Sequence, residues 1–127
     1  MLTPNRFEAA EVSQLTDYNQ ETIEQAGSKM RNEFELESML ITQGEDGMTL
    51  FLKSEETEHL TVTARNVYDV TGAGDTVVAC LACAVGIGMD FLEAAKFANV
   101  AAGLVVERVG TTAISRAMLD QYNSARQ

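Results

Sequence analysis

The stretch that decides the fold is Asp69-Val70-Thr71-Gly72-Ala73-Gly74-Asp75, between a strand-rich region and a long apolar segment. Its Gly-Ala-Gly core carries no bulky side chain, so the backbone can approach a ligand closely. A helix that begins here directs its free N–H groups and the positive end of its dipole toward the loop. The stretch therefore predicts an anion site that needs no lysine or arginine.

Asp75 falls in the first turn of the predicted helix, where an ionised carboxylate is favoured. Beside a bound phosphate it could accept the proton of an attacking hydroxyl, and such general-base help contributes about 10²–10⁴ in rate. The alternative from the residues alone is a tight loop before a packed helix, with Asp75 as an ordinary helix-start residue. A Walker loop and a dinucleotide fingerprint are both excluded, because neither spacing is present.

The composition predicts one modest α/β unit over residues 1–127, with 46% hydrophobic residues. The net charge of −10 disfavours nucleic acid and anionic lipid as partners. No apolar run approaches the ~20 residues that span a bilayer, and the start lacks the pattern of a secretory signal. We therefore expect a cytoplasmic protein without a membrane partner, in which a phosphate is held by a local device.

Periodicity and turn signals predict the remaining elements. The opening residues, 1–5, are typical of the end of a strand. The expected elements are a surface helix with Ile23, Ala26, Met30 and Phe34 in its apolar stripe; a hairpin of Met39–Thr42 and Met48–Leu52; a third strand at Leu60–Thr63; two largely buried helices, Thr76–Ile87 and Phe91–Val106, the second capped by Asp90; and a short last helix capped by Ser115.

The stretch from Asp69 to Asp75 closely resembles the C-terminal signature of the PfkB, or ribokinase-like, carbohydrate kinases. Asn5-Arg6-Phe7-Glu8 resembles the family's Asn-x-x-Glu motif, and Thr42-Gln43-Gly44-Glu45-Asp46-Gly47 resembles its Thr-x-Gly-x-x-Gly turn. These three motifs stand in the family's order over almost the whole chain. The resemblance implies an α/β, ribokinase-like three-layer fold, of which this chain is expected to be the C-terminal, nucleotide-binding half.

Three segments are nearer still to one group of these kinases: Val67–Val77, Leu2–Asn5 and Phe97–Gly103. That group phosphorylates the anomeric hydroxyl of D-glycero-D-manno-heptose 7-phosphate in the synthesis of ADP-heptose for the lipopolysaccharide core. The resemblance thus implies ATP-dependent transfer of a phosphoryl group to this phosphosugar. Ribokinase, fructokinase and adenosine kinase relatives remain open, because the sugar is bound by an N-terminal half that is not in this sequence.

The resemblance also implies a role for each motif residue. Asp75 would deprotonate the sugar hydroxyl, and the backbone amides of Gly72, Ala73 and Gly74 would hold the transferred phosphoryl group. The implied cofactor residues are Thr42, Gly44 and Gly47 at the nucleotide phosphates and ribose; Asn99 at the adenine; Asn5 and Glu8 at Mg²⁺, through water; and Asp69 with the Thr71 carbonyl at a monovalent cation such as K⁺.

Each assignment has a structural alternative. Asn5 and Glu8 could be a plain helix-start pair, Gly44–Gly47 only a hairpin turn, and Asn99 a satisfied polar residue between helices. Cys80 and Cys83 have no second pair of ligands, which favours packing within a buried helix over a redox or metal site. His59 is expected to be solvated at a strand edge and without a role.

The sequence leaves three alternative hypotheses for the function of the chain. The first is a sugar kinase fragment that is inactive by itself, binds ATP weakly or not at all, and associates with the missing half or with another copy. The second is a non-catalytic nucleotide-binding or oligomerising module, against which the Asp75 carboxylate argues. The third is a thiol-redox protein built on Cys80 and Cys83.

Overall fold

The structure is a computed structural model, which describes residues 1–62, 72–107 and 113–126. The chain divides into two compact units, Met1–Thr61 (the sheet unit) and Val62–Gln127 (the helical unit). No helix within the described ranges is long and apolar enough to cross a membrane. The sheet unit contains α1 (Arg6–Ser13), α2 (Gln20–Glu33), β1 (Ser38–Thr42), β2 (Met48–Leu52) and β3 (Thr57–Leu60); the helical unit contains α3 (Ala73–Gly86), α4 (Phe91–Val106) and α5 (Arg116–Arg126).

The sheet is antiparallel, in the order β1-β2-β3. The opening residues run parallel to β1 along its other edge: the Leu40 N–H donates to the Leu2 carbonyl at 2.9 Å, and the Thr42 N–H donates to the Pro4 carbonyl at 3.1 Å. This pairing confirms the strand-like character of the opening segment and fixes the start of α1 beside the end of β1.

The third strand was predicted at the wrong place. It lies at Thr57–Leu60, opposite residues 48–51 of β2. Of the predicted segment, Leu60–Thr63, only Leu60 belongs to this strand, and Thr63 lies outside the described residues. A tight turn after β2, with Glu55 at φ 66°, forces this register. The strand is polar and mostly exposed, as edge strands often are, so no apolar pattern marks it.

The core of the sheet unit is formed by the inner faces of α1, α2 and the sheet. It contains Ala9, Ile23, Met30, Met39, Ile41 and Phe51. Phe34, predicted to extend the apolar stripe of α2, is instead the residue that ends the helix and is 48% exposed. The chain turns sharply at Glu35, at φ 51°, so that Leu36 packs against the core in its place.

In the helical unit α3 and α4 pack against each other. The side chain of Asp90 caps α4 by accepting from the Glu93 N–H at 2.9 Å, and Ser115 Oγ accepts from the Met118 N–H at the start of α5, at 3.3 Å; both caps were predicted. The prediction of two largely buried helices is wrong for α3. One of its faces is buried, whereas Val78 and Cys83 on the other face are exposed.

Candidate phosphate-binding and catalytic site

Helix α3 begins in the middle of the predicted phosphate motif. Its first residue is Ala73, and Gly72 precedes it in the left-handed conformation, at φ 81° and ψ 0°, which favours glycine. Among the described residues, the N-cap position of this helix is a glycine, which has no side chain to donate or accept a capping bond. The other described α-helices each carry a side-chain cap, from Asn5, Asn19, Asp90 and Ser115. Among the described α-helices, α3 is therefore the one whose N-cap residue supplies no side-chain cap.

The first turn of α3 presents donors to its surroundings. The Gly72 carbonyl accepts from the Thr76 N–H at 3.0 Å and from Thr76 Oγ1 at 3.1 Å, so regular helical bonding starts there. The amides of Ala73, Gly74 and Asp75 precede that bond and have no acceptor within the helix. A methyl group built on Gly74 would meet no atom within 4 Å, so a ligand can approach this backbone.

Asp75 lies in the first helical turn, and its side chain is exposed. A carboxylate here stands beside the positive end of the helix dipole. The arrangement combines N–H donors for an anion with a carboxylate that can accept a proton next to it. Asp69 and Thr71, the predicted cation ligands, lie outside the described residues.

Asn5 and Glu8 form a reciprocal capping box at the start of α1. Asn5 Oδ1 accepts from the Glu8 N–H at 2.9 Å, and Glu8 Oε2 accepts from the Asn5 N–H at 2.8 Å. The helix-start alternative is thus the geometry that these residues adopt. It is compatible with a metal role, because an exposed carboxylate has about four acceptor positions and can still bind the water of a hydrated Mg²⁺.

The predicted nucleotide turn follows β1 directly and contains a short 3₁₀ helix, Gly44–Asp46. Gly44 and Gly47 both have positive φ, 60° and 88°. A methyl group on Gly47 would lie 2.0 Å from the Leu60 carbonyl oxygen, so the turn itself requires this glycine. A methyl group on Gly44 would meet only Arg6 Nη2, at 3.9 Å, which leaves space beside this residue.

Two of the predicted motifs meet within the sheet unit. Asn5 pairs with Thr42 through a parallel bridge, which places the capping box next to the end of β1. Arg6 Nη1 reaches Asp46 Oδ2 at 2.9 Å and so ties the start of α1 to the turn. The Asp46 side chain is 63% exposed, so this ion pair orients the turn more than it stabilises the fold.

Asn99 belongs to the helical unit, as do Gly72–Asp75. It lies in α4 and is 8% exposed. Such burial is what we expect if Asn99 is a polar residue satisfied between helices. The adenine role requires that a nucleotide reaches the face of α4 on which Asn99 lies.

Cys80, in α3, does not have the character of a redox residue. Burial raises the pKa of the Cys80 thiol, and the neighbouring Cys83 raises it further. Reactive cysteines need a lowered pKa and access to solvent. Cys83 is exposed, which corrects the expectation that both side chains pack in a buried helix.

The sequence analysis missed a polar cluster beside the nucleotide turn. Gln20, Gln43 and Thr49 join their side chains by hydrogen bonds, and Thr49 also contacts His59, which had been given no role. These residues come from α2, the end of β1, β2 and β3. No local spacing connects them, and only the polar Gln43 inside an otherwise small and charged turn was a visible signal.

Comparison with known proteins agrees with the family resemblance of the motifs. The family model described as pfkB family carbohydrate kinase matches residues 1–118. Bifunctional protein HldE of Geotalea uraniireducens is 44% identical over 115 residues, which are 91% of this chain and 24% of that protein. The proteins of the same name from Vibrio parahaemolyticus and Methylobacillus flagellatus are 45% and 40% identical, over 91% and 99% of this chain and 24% and 26% of theirs. The chain thus spans about a quarter of the length of these curated relatives.

Solved structures agree on the fold. Ribokinase of Arabidopsis thaliana, complexed with ribose and ATP, superposes with a TM-score of 0.77 at 31% identity, over 87% of this chain and 36% of that one. Phosphofructokinase-2 of Escherichia coli, in complex with potassium, gives a TM-score of 0.85 at 17% identity, over 99% and 41%, and shows the fold alone. The α/β, ribokinase-like fold class is confirmed.

Proposed function

Since the chain belongs to the pfkB family of carbohydrate kinases, we propose that it is the C-terminal, nucleotide-binding part of an ATP-dependent sugar kinase. The observation that carries this proposal is the start of α3, where a methyl group on Gly74 would meet no atom within 4 Å and Asp75 stands in the same turn.

In the proposed reaction, a sugar hydroxyl oxygen attacks the terminal phosphorus of ATP and the bond from that phosphorus to the ADP oxygen breaks. Asp75 accepts the proton that the hydroxyl loses. The amides of Gly72, Ala73 and Gly74 donate to the phosphoryl oxygens as charge moves across the group, and the dipole of α3 adds to this stabilisation. Positioning does most of the work in such a transfer.

The nucleotide is proposed to lie along the turn after β1, with Thr42, Gly44 and Gly47 at its phosphates and ribose and Asn99 at its adenine. Glu8, with Asn5, would bind the water of Mg²⁺, which neutralises phosphate charge when it is present. The capping box favours this assignment because it fixes the Glu8 carboxylate at the N–H of Asn5, the residue that pairs with Thr42. Asp69 and the Thr71 carbonyl are proposed for a monovalent cation such as K⁺, which one solved neighbour contains.

The proposed substrate is D-glycero-D-manno-heptose 7-phosphate, phosphorylated at its anomeric hydroxyl for ADP-heptose synthesis. Support comes from the heptose-kinase segments of the sequence and from relatives named bifunctional protein HldE at 40–45% identity. The proposed partners are the N-terminal half of such a kinase or a second copy of this chain, and the proposed location is the cytoplasm.

Nucleotide binding is tested by titrating the ¹⁵N-labelled chain with ATP and Mg²⁺ and following its amide signals. We expect weak, saturable shifts at Gly72, Ala73 and Gly74, with Asp75 beside them, and at Gly44 and Gly47. Asp75→Asn is the matched variant: it removes a negative charge beside the phosphates, so ATP should bind it at least as tightly. A folded chain in which ATP moves neither group of amides would contradict the proposal.

A further inference from the structure

Three side chains next to the nucleotide turn form a closed cycle of hydrogen bonds, the polar ring. Gln43 Nε2 donates to Gln20 Oε1 at 2.8 Å, Gln20 Nε2 donates to Thr49 Oγ1 at 3.1 Å, and Thr49 Oγ1 donates to Gln43 Oε1 at 2.5 Å. Thr49 is fully buried and Gln43 is 3% exposed. Every member both donates and accepts, so the ring satisfies polar groups whose isolated burial would be costly.

Glu24 sets the direction of the ring. Gln20 Nε2 donates to Glu24 Oε1 at 2.8 Å. Because a carboxylate oxygen only accepts, the atom of Gln20 that faces it must be the amide NH₂ and not the amide oxygen. With Gln20 oriented, Gln43 has only one amide orientation that avoids two facing oxygens. The side chain of Gln43 is therefore held at both ends.

The ring also determines which nitrogen of His59 carries a proton. A threonine hydroxyl has one hydrogen, and Thr49 donates it to Gln43 within the ring. His59 Nδ1 lies 2.9 Å from the same oxygen, where only lone pairs remain. His59 must then donate from Nδ1, so its neutral form is the Nδ1–H tautomer, with Nε2 left as the acceptor.

Gln43 connects this ring to the turn. Its backbone N–H donates to the Gly47 carbonyl at 2.8 Å, and its carbonyl accepts from the Asp46 N–H at 3.1 Å. The same residue therefore closes the turn with its backbone and is fixed to α2 and β2 with its side chain. We propose that Gln43, held by Gln20 and Thr49, is a positioning residue that sets the geometry of the turn Gly44–Gly47; its value for ATP binding rests on the proposed function.

The test is Thr49→Val, which removes the hydroxyl with little change of shape, with Thr49→Ser as the rescue. Amide hydrogen exchange at Asp46 and Gly47 reports the turn, and exchange at Leu40, in β1, reports the rest of the sheet. We expect Thr49→Val to speed exchange in the turn about fivefold to tenfold relative to Leu40, which is what the loss of one buried hydrogen bond gives. Thr49→Ser should return the parent ratio.

His59 supplies a signature that general loss of stability would not change. It is the only histidine, so its two ring ¹⁵N signals are unambiguous. We expect the Nδ1–H tautomer in the parent and in Thr49→Ser, and its loss in Thr49→Val. Thr57→Val is the matched control: it makes the same change on the exposed edge strand and should alter neither reading.

The outcomes separate this inference from the proposed function. An exchange ratio within twofold of the parent in folded Thr49→Val, or an Nε2–H tautomer in the parent, overturns the polar ring as a positioning device. If Thr49→Val does not fold, Gln20→Ala is measured in the same way and decides by the same ratio. If ATP shifts no amide of the parent while the exchange result holds, the nucleotide proposal fails and the positioning of the turn stands.

Discussion

At the scale of single residues, Gly27 is a position where the packed core leaves no space for a side chain. A methyl group added to it would lie 2.1 Å from Cζ of Phe51, a ring that is 1% exposed in the core of the sheet unit. Gly27→Ala therefore forces the ring out of its place and should lower the free energy of unfolding by about 1–3 kcal/mol, measured by urea denaturation.

Gly86 provides the matched control for this substitution. It is also a helical glycine, at the end of α3, and a methyl group there would meet no atom within 4 Å. Gly86→Ala should leave stability unchanged or raise it by up to about 1 kcal/mol, because alanine is the better helix former. Equal losses of stability in both variants would contradict the packing argument.

The sequence predicts where the glycines of the turn lie, but it does not show why each position requires a glycine. A Thr-x-Gly-x-x-Gly pattern predicts small residues near a phosphate, yet Gly47 is required by the carbonyl of Leu60, thirteen residues further along the chain. The polar ring is hidden for the same reason, because Thr49 acts on Gln43 through the pairing of strands and the docking of α2. Contacts of this kind follow from tertiary packing, which local patterns do not encode.

At the scale of elements, the open end of the β1–β2 hairpin has a pH-sensitive ion pair. Lys53 Nζ donates to Glu37 Oε1 at 2.8 Å, and the Lys53 N–H donates to the Glu37 carbonyl at 3.1 Å. The hydrogen bond and then the charge of Lys53 lower the pKa of the Glu37 carboxyl below its ordinary value of 4.5. Both side chains are exposed, so salt weakens the pair.

The sign of the pH effect follows from the lowered pKa in the folded state. The pair contributes to stability fully above the ordinary carboxyl pKa, and the contribution is lost as the pH falls through the lower folded value. An NMR titration of Glu37 should give a midpoint below 4.5. Lys53→Met should move it back toward that value, whereas Lys29→Met, on α2, should not. An unchanged midpoint in Lys53→Met would contradict the assignment.

Periodicity predicts elements well where one face is apolar and poorly where burial is decided by the neighbours. The hairpin, α2 and α4 follow their apolar patterns, and Asp90 and Ser115 mark helix starts because caps are local. The strand β3 carries no such pattern, since it is a polar edge that pairs only because the preceding turn brings it there. In α3, uniform apolarity predicts burial on all sides, which only contacts can decide.

At the scale of the whole molecule, the net charge of −10 and the proposed phosphate chemistry are compatible. In the proposed function a helix start presents backbone amides to an anion, so that binding does not depend on a basic surface. The same charge opposes the approach of ATP at long range, and bound Mg²⁺ reduces that repulsion. ATP binding should therefore be weak in a chain that contributes only part of the substrate contacts.

The proposed kinase activity depends on how much of the kinase the tested polypeptide contains. It covers 36–41% of the ribokinase and phosphofructokinase-2 structures and about a quarter of the curated relatives. Phosphoryl transfer needs the sugar hydroxyl to be held in line with ATP and shielded from water, and Asp75 cannot do either alone. We expect no measurable release of ADP that depends on heptose 7-phosphate from the 127-residue chain.

A chimera tests whether Asp75 becomes catalytic once the remaining contacts are present. The preceding part of the kinase would be taken from the Geotalea uraniireducens relative, which is 44% identical over the shared region. ADP release in the presence of heptose 7-phosphate should appear, and Asp75→Asn should lower its rate by about 10²–10⁴ because the hydroxyl loses its base. Asp120→Asn, the same change on an exposed face of α5, should leave the rate unaltered. A folded, active chimera that tolerates Asp75→Asn would show that the proton leaves by another route and that Asp75 serves only the start of α3.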